Sequence, residues 1–218
     1  MAVTSNRSDL SRLDFSKGDG LLPAIIQHAD TGAVLMLGYM NAEALELTQA
    51  RGRVVFYSRS RQTLWEKGET SGHSLNVEAI RTDCDADTLL ITARPLGPTC
   101  HEGSATCFGD ELLTGAARLG FLAQLARIIE QRASAPPEES YTAKLIAAGP
   151  ARMAQKVGEE GVEVALAAVT QGDDKLLSES ADLLFHLMVL FESRKLSLEQ
   201  VVSVLASRHA AVRAAADT

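Results

Sequence analysis

The chain has 218 residues, of which 46% are hydrophobic and 22% are charged, and its formal net charge at pH 7 is −7. This composition is typical of a globular protein, and the length allows one large domain or two small ones. Neither half of the sequence has a basic excess, which excludes the class of nucleic-acid binders that neutralise many phosphates.

Three further features bear on where the protein works. No run of about 18 apolar residues is present, so we expect no membrane span. The N-terminal sequence MAVTSNRSDLSRLDFSKGDG lacks the apolar core of a signal peptide, so we expect a cytoplasmic protein. Three cysteines, an odd count, favour metal ligation or catalysis over a disulfide framework.

The first half of the sequence predicts short strands joined by turns. LLPAIIQHA (21–29) and AVLMLGY (33–39) flank the turn residues Asp30, Thr31 and Gly32 and predict a β-hairpin. Asn41 is placed to cap a helix over AEALELTQAR, which Gly52 would end. Further strands are predicted over VVFYS, SLNVEAIRTDC and TLLITAR, which are rich in β-branched residues.

The segment TDCDAD (82–87) places Asp83, Asp85 and Asp87 in alternate positions around Cys84. On a strand the three carboxylates would share one face and the thiol would point to the other. Such close like charges repel one another unless water or a cation compensates them. A solvated acidic turn is one interpretation, and the other is a Mg²⁺ site that a phosphate-bearing substrate shares.

Downstream, GPTCHEGSATCF (97–108) supplies Cys100 and Cys107, with His101 beside the first. Three cysteines suit a catalytic zinc, which takes three protein ligands and lowers the pKa of a bound water to roughly 7. The alternative is that Cys84 is a small buried hydrophobe and the other two cysteines are incidental. The spacing alone leaves both interpretations open.

After Phe108 the sequence predicts helices in place of strands, over residues 113–132, 151–171, 175–194 and 197–216, with a loop over ASAPPEES (133–140). A β-rich domain followed by an all-helical one makes the fold class α+β, with domains at 1–112 and 113–218.

Helical geometry predicts a second metal site. Glu179, Asp182 and His186 fall at i, i+3 and i+7 on a helix whose other positions are mostly apolar, so we expect that helix to be buried. Buried carboxylates must be paired or coordinate a metal. Glu160 and Glu163 share a face of the preceding helix, with Glu159 at its margin. Packed together, these stripes would form a narrow acidic slot for Mg²⁺, whose open positions would bind a polyphosphate.

Two basic residues lie along the same stripe before Glu160: Lys156 one turn earlier and Arg152 two turns earlier. They are candidates for binding the polyphosphate. The alternative is ordinary i,i+4 pairing on a solvated helix face, such as Lys156 with Glu160, which contributes only about 0.2–0.5 kcal/mol.

The motifs together resemble two known families. VLMLGYMNAEAL, LWEKGETSGH, TDCDAD and GPTCHEGSATCF resemble phosphoribosyl-AMP cyclohydrolase. SYTAKLIAAGPARMAQKVGEEGVEVALAA and ESADLLFHLMVLF resemble phosphoribosyl-ATP pyrophosphatase. Their order in one chain is similar to the bifunctional histidine-biosynthesis enzyme of bacteria, and the resemblance runs from about Asp14 to His209.

For the helical domain, the resemblance implies hydrolysis of phosphoribosyl-ATP between its α- and β-phosphates, giving phosphoribosyl-AMP and pyrophosphate. The family's EExxE and ExxD carboxylates hold Mg²⁺, and the matching residues here are Glu159, Glu160, Glu163, Glu179 and Asp182. Glu163 also enters the expected catalytic set, and Arg152 and Lys156 enter the expected substrate-binding set.

For the N-terminal domain, the resemblance implies hydrolysis of the purine N1–C6 bond of phosphoribosyl-AMP. Zinc would be held by Cys84, Cys100 and Cys107, and Mg²⁺ by Asp83, Asp85 and Asp87. His101 is the candidate for proton transfer. The expected substrate-binding residues lie in and beside the KGETSG loop (67–72): Trp65, Lys67, Thr70, Ser71, Gly72 and His73. The family implies a homodimer whose zinc ligands come from two chains.

Two other functions stay open on the residues alone. One is a structural zinc module fused to a helical dimerisation bundle without catalysis, which leaves the acidic stripes without a role. The other is a general nucleotide pyrophosphohydrolase whose β-rich domain has no assigned activity.

Overall fold

The structure, a computed structural model, describes residues 10–109 and 115–216. The chain divides into two compact units between Phe121 and Leu122. The predicted domain boundary between residues 112 and 113 lies outside the described residues.

Within its described residues, the N-terminal unit contains six strands and one longer helix. A 3-10 turn at Phe15–Gly18 leads into β1 (Leu22–His28), β2 (Val34–Met40), α1 (Ala42–Arg51), β3 (Val55–Ser58), β4 (Thr63–Glu66), β5 (Leu75–Thr82) and β6 (Leu89–Pro95). A four-stranded sheet has the order β2-β1-β6-β5, in which β1 and β6 are parallel and the other pairs antiparallel. Strands β3 and β4 form a second, antiparallel sheet. A short helix, α2 (Ala116–Leu119), lies near the end of this unit.

The core of this unit follows the alternation of apolar residues along the strands. Leu22, Ala24 and Ile26 of β1 are buried, and so are Leu89 and Ile91 of β6. Because strand side chains alternate between faces, one face of the sheet closes the core. The predicted hairpin is confirmed, with Ile25 opposite Leu37 in the register of β1 and β2.

Helix α1 begins and ends where the sequence predicts. The Asn41 side chain accepts a hydrogen bond from the Ala44 amide, and Gly52 adopts the left-handed conformation that ends the helix. The fully buried Thr48 hydroxyl donates to the Ala44 carbonyl at 2.8 Å and accepts from the Val55 amide at 2.9 Å, which ties α1 to β3.

Two short elements, strand β4 and a helix at Tyr141–Ala147, were not predicted, because both carry weak periodicity. The strand predicted over SLNVEAIRTDC (74–84) ends at Thr82, so the rest of TDCDAD lies outside it. The Asp83 side chain accepts hydrogen bonds from the amides of Asp87 and Thr88, both at 3.1 Å, and this local pairing replaces a strand ladder with a turn.

In the part that the structure describes, the C-terminal unit consists of helices. They are α3 (Phe121–Ala133), whose first residue precedes the division, α4 (Tyr141–Ala147), α5 (Pro150–Thr170), α6 (Asp173–Ser193) and α7 (Leu198–Ala216). Helices α5 and α6 are joined by two residues and pack along each other as a hairpin. The Ser140 side chain caps α4, and Pro150 begins α5. The core of the unit contains Ile129, Leu145, Met153, Met188 and Val189.

Helix α6 is not buried on all sides, contrary to the sequence prediction. Its buried side chains are Glu179, His186, Met188 and Val189, whereas Leu177 is 68% exposed and Leu184 is 42% exposed. The buried stripe is therefore the polar one in its N-terminal half, with apolar residues left outside. No helix among the described residues is long and apolar enough to cross a membrane.

Candidate metal centres and active sites

The packing of α5 against α6 brings three carboxylates together. Glu160, Glu179 and Asp182 each offer an oxygen, and these oxygens lie within 4.8 Å of one another. Glu160 is only 4% exposed and Glu179 only 5% exposed. Since hard cations bind carboxylate oxygens and buried charges need compensation, this donor set fits Mg²⁺.

Glu163 lies beside this cluster, on the exposed side of α5. Desolvation, together with the charges of Glu160 and Glu179, raises the pKa of the Glu163 carboxyl above its ordinary value. A carboxylate with a raised pKa next to three others marks the place where added positive charge is most favourable. The structure thus places four of the five predicted helical carboxylates next to one another.

Two lysines supply positive charge to the cluster. Lys156 Nζ lies 2.7 Å from Glu160 Oε1, and Lys175 forms an ion pair with Glu179. The hydrogen bond from Lys156 holds the pKa of Glu160 below its ordinary value, and the carboxylates raise the pKa of both lysines. Lys175 was missed by the sequence analysis, although its i,i+4 spacing to Glu179 was visible.

Glu159 lies outside the three-carboxylate group. Its carboxylate is 3.0 Å from Lys156 Nζ and 3.7 Å from Arg152, and it accepts a hydrogen bond from Gln155 at 2.8 Å. The side chain of Glu159 is 38% exposed. Arg152 and Lys156 thus form a basic stripe beside the acidic one, and both are engaged by carboxylates.

In the N-terminal unit, the turn after β5 gathers the three aspartates. Oxygens of Asp83, Asp85 and Asp87 lie within 4.8 Å of one another, although the segment is not a strand. Lys17 reaches the cluster from the 3-10 turn, with Nζ 2.8 Å from Asp85 Oδ2 and 3.2 Å from Asp87 Oδ2. No sequence signal linked Lys17 to these acids, which are 68 and 70 residues away.

Asp83 has a structural task in addition to its charge. Partial desolvation opposes ionisation, but hydrogen bonds from the Thr88 and Asp87 amides hold the pKa of Asp83 below its ordinary value. The carboxylate therefore stays charged and fixes the turn. This arrangement leaves Asp85 and Asp87 to face Lys17 or a cation.

The cysteines divide into a close pair and a separate residue. Hydrogen bonds from the Glu102 amide and the Ser104 side chain lower the pKa of the Cys100 thiol, and Cys107 also contacts that thiol. Burial and the neighbouring Cys100 raise the pKa of Cys107. Within the described residues of one chain, Cys84 does not join them in a three-ligand group. Cys84 is exposed, so the interpretation of it as a buried hydrophobe is wrong.

His101 lies beside the cysteine pair. Its Nδ1 atom is 3.9 Å from Cys100 Sγ, and the side chain is exposed. An exposed imidazole next to a pair of thiols has the freedom to exchange protons with solvent. The structure thus places an exposed His101 beside the cysteine pair, with Cys100 Sγ as its hydrogen-bond partner.

The KGETSG loop follows β4 and turns back on itself. Gly72 N donates to the Gly68 carbonyl at 2.8 Å, and the Ser71 hydroxyl accepts from the His73 amide at 3.3 Å. Thr70, Ser71 and Gly72 are exposed, as a loop that receives a ligand must be. Lys67 lies near enough to Cys107 for its charge to lower the pKa of that thiol.

Two aromatic side chains flank this loop. Trp65 packs on Phe56 with ring centroids 5.1 Å apart, so its ring is positioned by the core of the unit. The His73 ring lies against Gly97, where a Cβ atom would stand 2.5 Å from it. This close approach joins the loop to the GPTCHEGSATCF segment that carries Cys100 and Cys107.

Sequence comparisons identify the family of each unit. The phosphoribosyl-AMP cyclohydrolase family matches residues 36–109, and the phosphoribosyl-ATP pyrophosphohydrolase family matches residues 122–209. The histidine biosynthesis bifunctional protein HisIE of Xanthomonas campestris is 59% identical over 95% of this chain and 98% of its own. The proteins of the same name from Xylella fastidiosa and Escherichia coli K12 are 58% and 55% identical, over 92% and 90% of this chain and 94% and 95% of their own.

The chain belongs to the HisIE family.

Each of the two family matches contains one set of candidate ligands. The cyclohydrolase match contains the aspartate turn and all three cysteines, and the pyrophosphohydrolase match contains the cluster on α5 and α6. Lys17 precedes the cyclohydrolase match. As a HisIE protein, the chain therefore has one candidate active site in each unit.

Proposed function

We propose that the two activities of this HisIE protein use separate metal sites: a Mg²⁺ site in the helical unit, and zinc and Mg²⁺ sites in the N-terminal unit. The chain is a bifunctional hydrolase of histidine biosynthesis, combining phosphoribosyl-ATP pyrophosphohydrolase and phosphoribosyl-AMP cyclohydrolase. Its substrates are therefore phosphoribosyl-ATP and phosphoribosyl-AMP. The single observation that carries the proposal is the buried carboxylate group on α5 and α6, which lies within the pyrophosphohydrolase match.

In the helical unit, Glu160, Glu163, Glu179 and Asp182 would hold Mg²⁺, with Glu159 at the margin. A bound Mg²⁺ would neutralise triphosphate charge and lower the pKa of a water. Arg152 and Lys156 would exchange their carboxylate partners for phosphate oxygens. Glu163, whose pKa is raised, would accept the proton of the attacking water as the α–β phosphate bond breaks and pyrophosphate leaves.

In the N-terminal unit, the proposed reaction adds water across the purine N1–C6 bond and opens the ring. Cys84, Cys100 and Cys107 would hold zinc, which supplies a hydroxide near neutral pH. His101 would move protons between this site and solvent. Asp83, Asp85 and Asp87 would hold Mg²⁺, releasing Lys17.

Substrate binding would fall to the loop after β4 and its flanks. Exposed hydroxyls and amides at Thr70, Ser71 and Gly72, together with Lys67, suit the 5′-phosphate. Trp65 and His73 offer ring faces on either side.

The zinc site would be completed in a homodimer. The described part of one chain brings Cys100 and Cys107 together but leaves Cys84 outside the pair, so a second copy would have to supply the third thiolate. A cyclic two-fold dimer gives two equivalent sites, each with Cys84 from one copy and the cysteine pair from the other.

Subunit complementation tests this arrangement. Cys84→Ala and Cys107→Ala should each lose ring opening when expressed alone. Co-expressed, they should regain about a quarter of wild-type ring opening, because about half of randomly paired dimers are mixed and each mixed dimer has one intact site of two. The matched control co-expresses Cys100→Ala with Cys107→Ala, which cannot form an intact site. Recovery in neither pair, with dimers verified by light scattering, would refute ligand sharing.

A further inference from the structure

His186 lies in the helical unit, buried against the metal-ligand candidates. It is only 7% exposed. Its Nδ1 atom is 2.9 Å from the Asp182 carbonyl and 3.4 Å from Glu160 Oε1, and its Nε2 atom is 3.1 Å from the Tyr141 hydroxyl. The imidazole therefore connects the short helix α4 to the acidic face of α5.

The neighbours of the ring determine where its proton lies. Both groups near Nδ1, a backbone carbonyl and a carboxylate, are acceptors, so Nδ1 must carry a hydrogen. In the neutral ring, Nε2 then accepts a hydrogen bond, and the Tyr141 hydroxyl is the donor. The chain of contacts runs from Tyr141 through His186 to Glu160 and the main chain of α6.

Aromatic packing keeps this chain of contacts in place. Tyr141 stacks on Phe185 at 19°, and the Phe185 and His186 rings meet edge to face at 76°. Tyr141 is itself 55% exposed, so its hydroxyl contact is not forced by burial. The contact between the Tyr141 hydroxyl and His186 Nε2 therefore has another explanation, which is that it orients the His186 ring.

Two groups face the same oxygen of Glu160: the Lys156 ammonium, and the His186 Nδ1 atom, whose hydrogen bond goes to the Asp182 carbonyl at 2.9 Å. Lys156 Nζ and His186 Nδ1 both approach Oε1, at 2.7 and 3.4 Å. Lys156 sits on a long flexible side chain, whereas the His186 ring is fixed on the neighbouring helix. The way the Glu160 carboxylate is turned decides how its oxygens face those of Glu179 and Asp182, which lie within 4.8 Å.

We propose that His186, oriented by Tyr141, is a positioning residue that turns the Glu160 carboxylate for divalent-metal binding. The proposal rests on the proposed function, in which Glu160 is a metal ligand. In other metal sites, removing a group that contacts a ligating side chain weakens metal affinity by about 10–100-fold. His186 contacts no substrate in this role and acts only through Glu160.

Calorimetric titration of the full chain with Mg²⁺ tests the proposal, with Glu179→Gln defining which binding step belongs to the helical unit. His186→Phe should raise the dissociation constant of that step about 10–100-fold. Tyr141→Phe keeps the ring and removes only the hydroxyl, and it should raise the constant by about 2–10-fold, as for one lost hydrogen bond. His186→Asn keeps a donor near the position of Nδ1 and should restore much of the affinity that His186→Phe loses.

Two matched controls separate this role from general effects of the substitutions. His209→Phe makes the same change at an exposed position of α7, and Tyr57→Phe removes a hydroxyl bonded to Gln62 in the other unit. Both should bind Mg²⁺ like the wild type. Pyrophosphate release by His186→Phe should recover as Mg²⁺ is raised, because the defect is in metal binding.

The outcomes distinguish the two proposals. If Glu179→Gln leaves the whole titration unchanged, the metal site of the proposed function is wrong. If Glu179→Gln removes one Mg²⁺-binding step, but Tyr141→Phe and His186→Phe both keep the wild-type dissociation constant for that step, the positioning role of His186 is wrong. If circular dichroism shows that His186→Phe does not fold, the Mg²⁺ dissociation constants of Tyr141→Phe and His186→Asn decide whether the positioning role is right.

Discussion

Replacing Gly68 with alanine should damage the N-terminal unit through one close approach of main chain to main chain. Gly68 has a φ of +89°, and a Cβ atom there would overlap the backbone of His73 and Ser74. Gly72, four residues later, has a φ of +77°, but a Cβ atom would meet nothing within 4 Å. The two glycines of the KGETSG loop thus share the conformational strain and differ only in the overlap.

The magnitudes follow from that difference. A left-handed conformation costs an L-residue about 1–2 kcal/mol, so Gly72→Ala should lose about that much stability. Overpacking adds about 1–3 kcal/mol to this loss of stability. A Cβ atom at position 68 would overlap main-chain atoms of His73 and Ser74, which cannot rotate away. Gly68→Ala should therefore lose about 2–5 kcal/mol. The midpoint of unfolding should fall at least about 4 °C further than in Gly72→Ala, at about 4–8 °C per kcal/mol for a domain near 100 residues.

Tryptophan fluorescence is the assay. The chain contains one tryptophan, Trp65, which lies in the N-terminal unit beside this loop, so its emission reports on that unit. Thermal and urea unfolding of both variants should be compared with the wild type, and KM for phosphoribosyl-AMP should rise more in Gly68→Ala. Equal loss of stability in the two variants would refute the reasoning, because it would mean that His73 and Ser74 move aside without cost.

Three further predictions concern the metal centres. Glu163→Gln should reduce pyrophosphate release at least about 100-fold while ring opening continues, and an active pyrophosphohydrolase would contradict its assigned role. Cys100→Ala should abolish ring opening and spare pyrophosphate release, so an equal loss of both would argue against separate sites. Because the pKa of Asp83 is below the ordinary 3.8, its turn should be stabilised above that pH and lose this stabilisation as the pH falls further. In EDTA, Trp65 fluorescence should show weaker acid destabilisation in Asp83→Asn, and identical acid unfolding would count against this account.

Local patterns predicted the elements that depend on residues close in sequence. The hairpin of β1 and β2, the caps of α1 at Asn41 and Gly52, and the long helices all follow from periodicity and end signals. The stripe of Glu179 and Asp182 also followed, because a helix places i and i+3 on one side whatever it packs against. Strand β4 and helix α4 did not, since four and seven residues carry too little pattern.

The aspartate turn shows how a correct grouping can rest on a wrong reason. Strand alternation predicted that Asp83, Asp85 and Asp87 would share a face, and their oxygens are indeed close. The cause is a turn closed by the Asp83 side chain onto the amides of Asp87 and Thr88. Side-chain-to-backbone hydrogen bonds of this kind compete with strand pairing, and residue spacing does not show which one prevails.

By itself, the sequence determined the family, the two kinds of unit and the residue types available for metal binding, because these depend on motifs and short-range periodicity. Only the tertiary structure decided which residues from distant segments meet. It brought Lys17 to Asp85, placed Tyr141 on His186 and left Cys84 apart from Cys100 and Cys107 within the described chain. These contacts depend on how elements pack across tens of residues, and no local pattern encodes that packing.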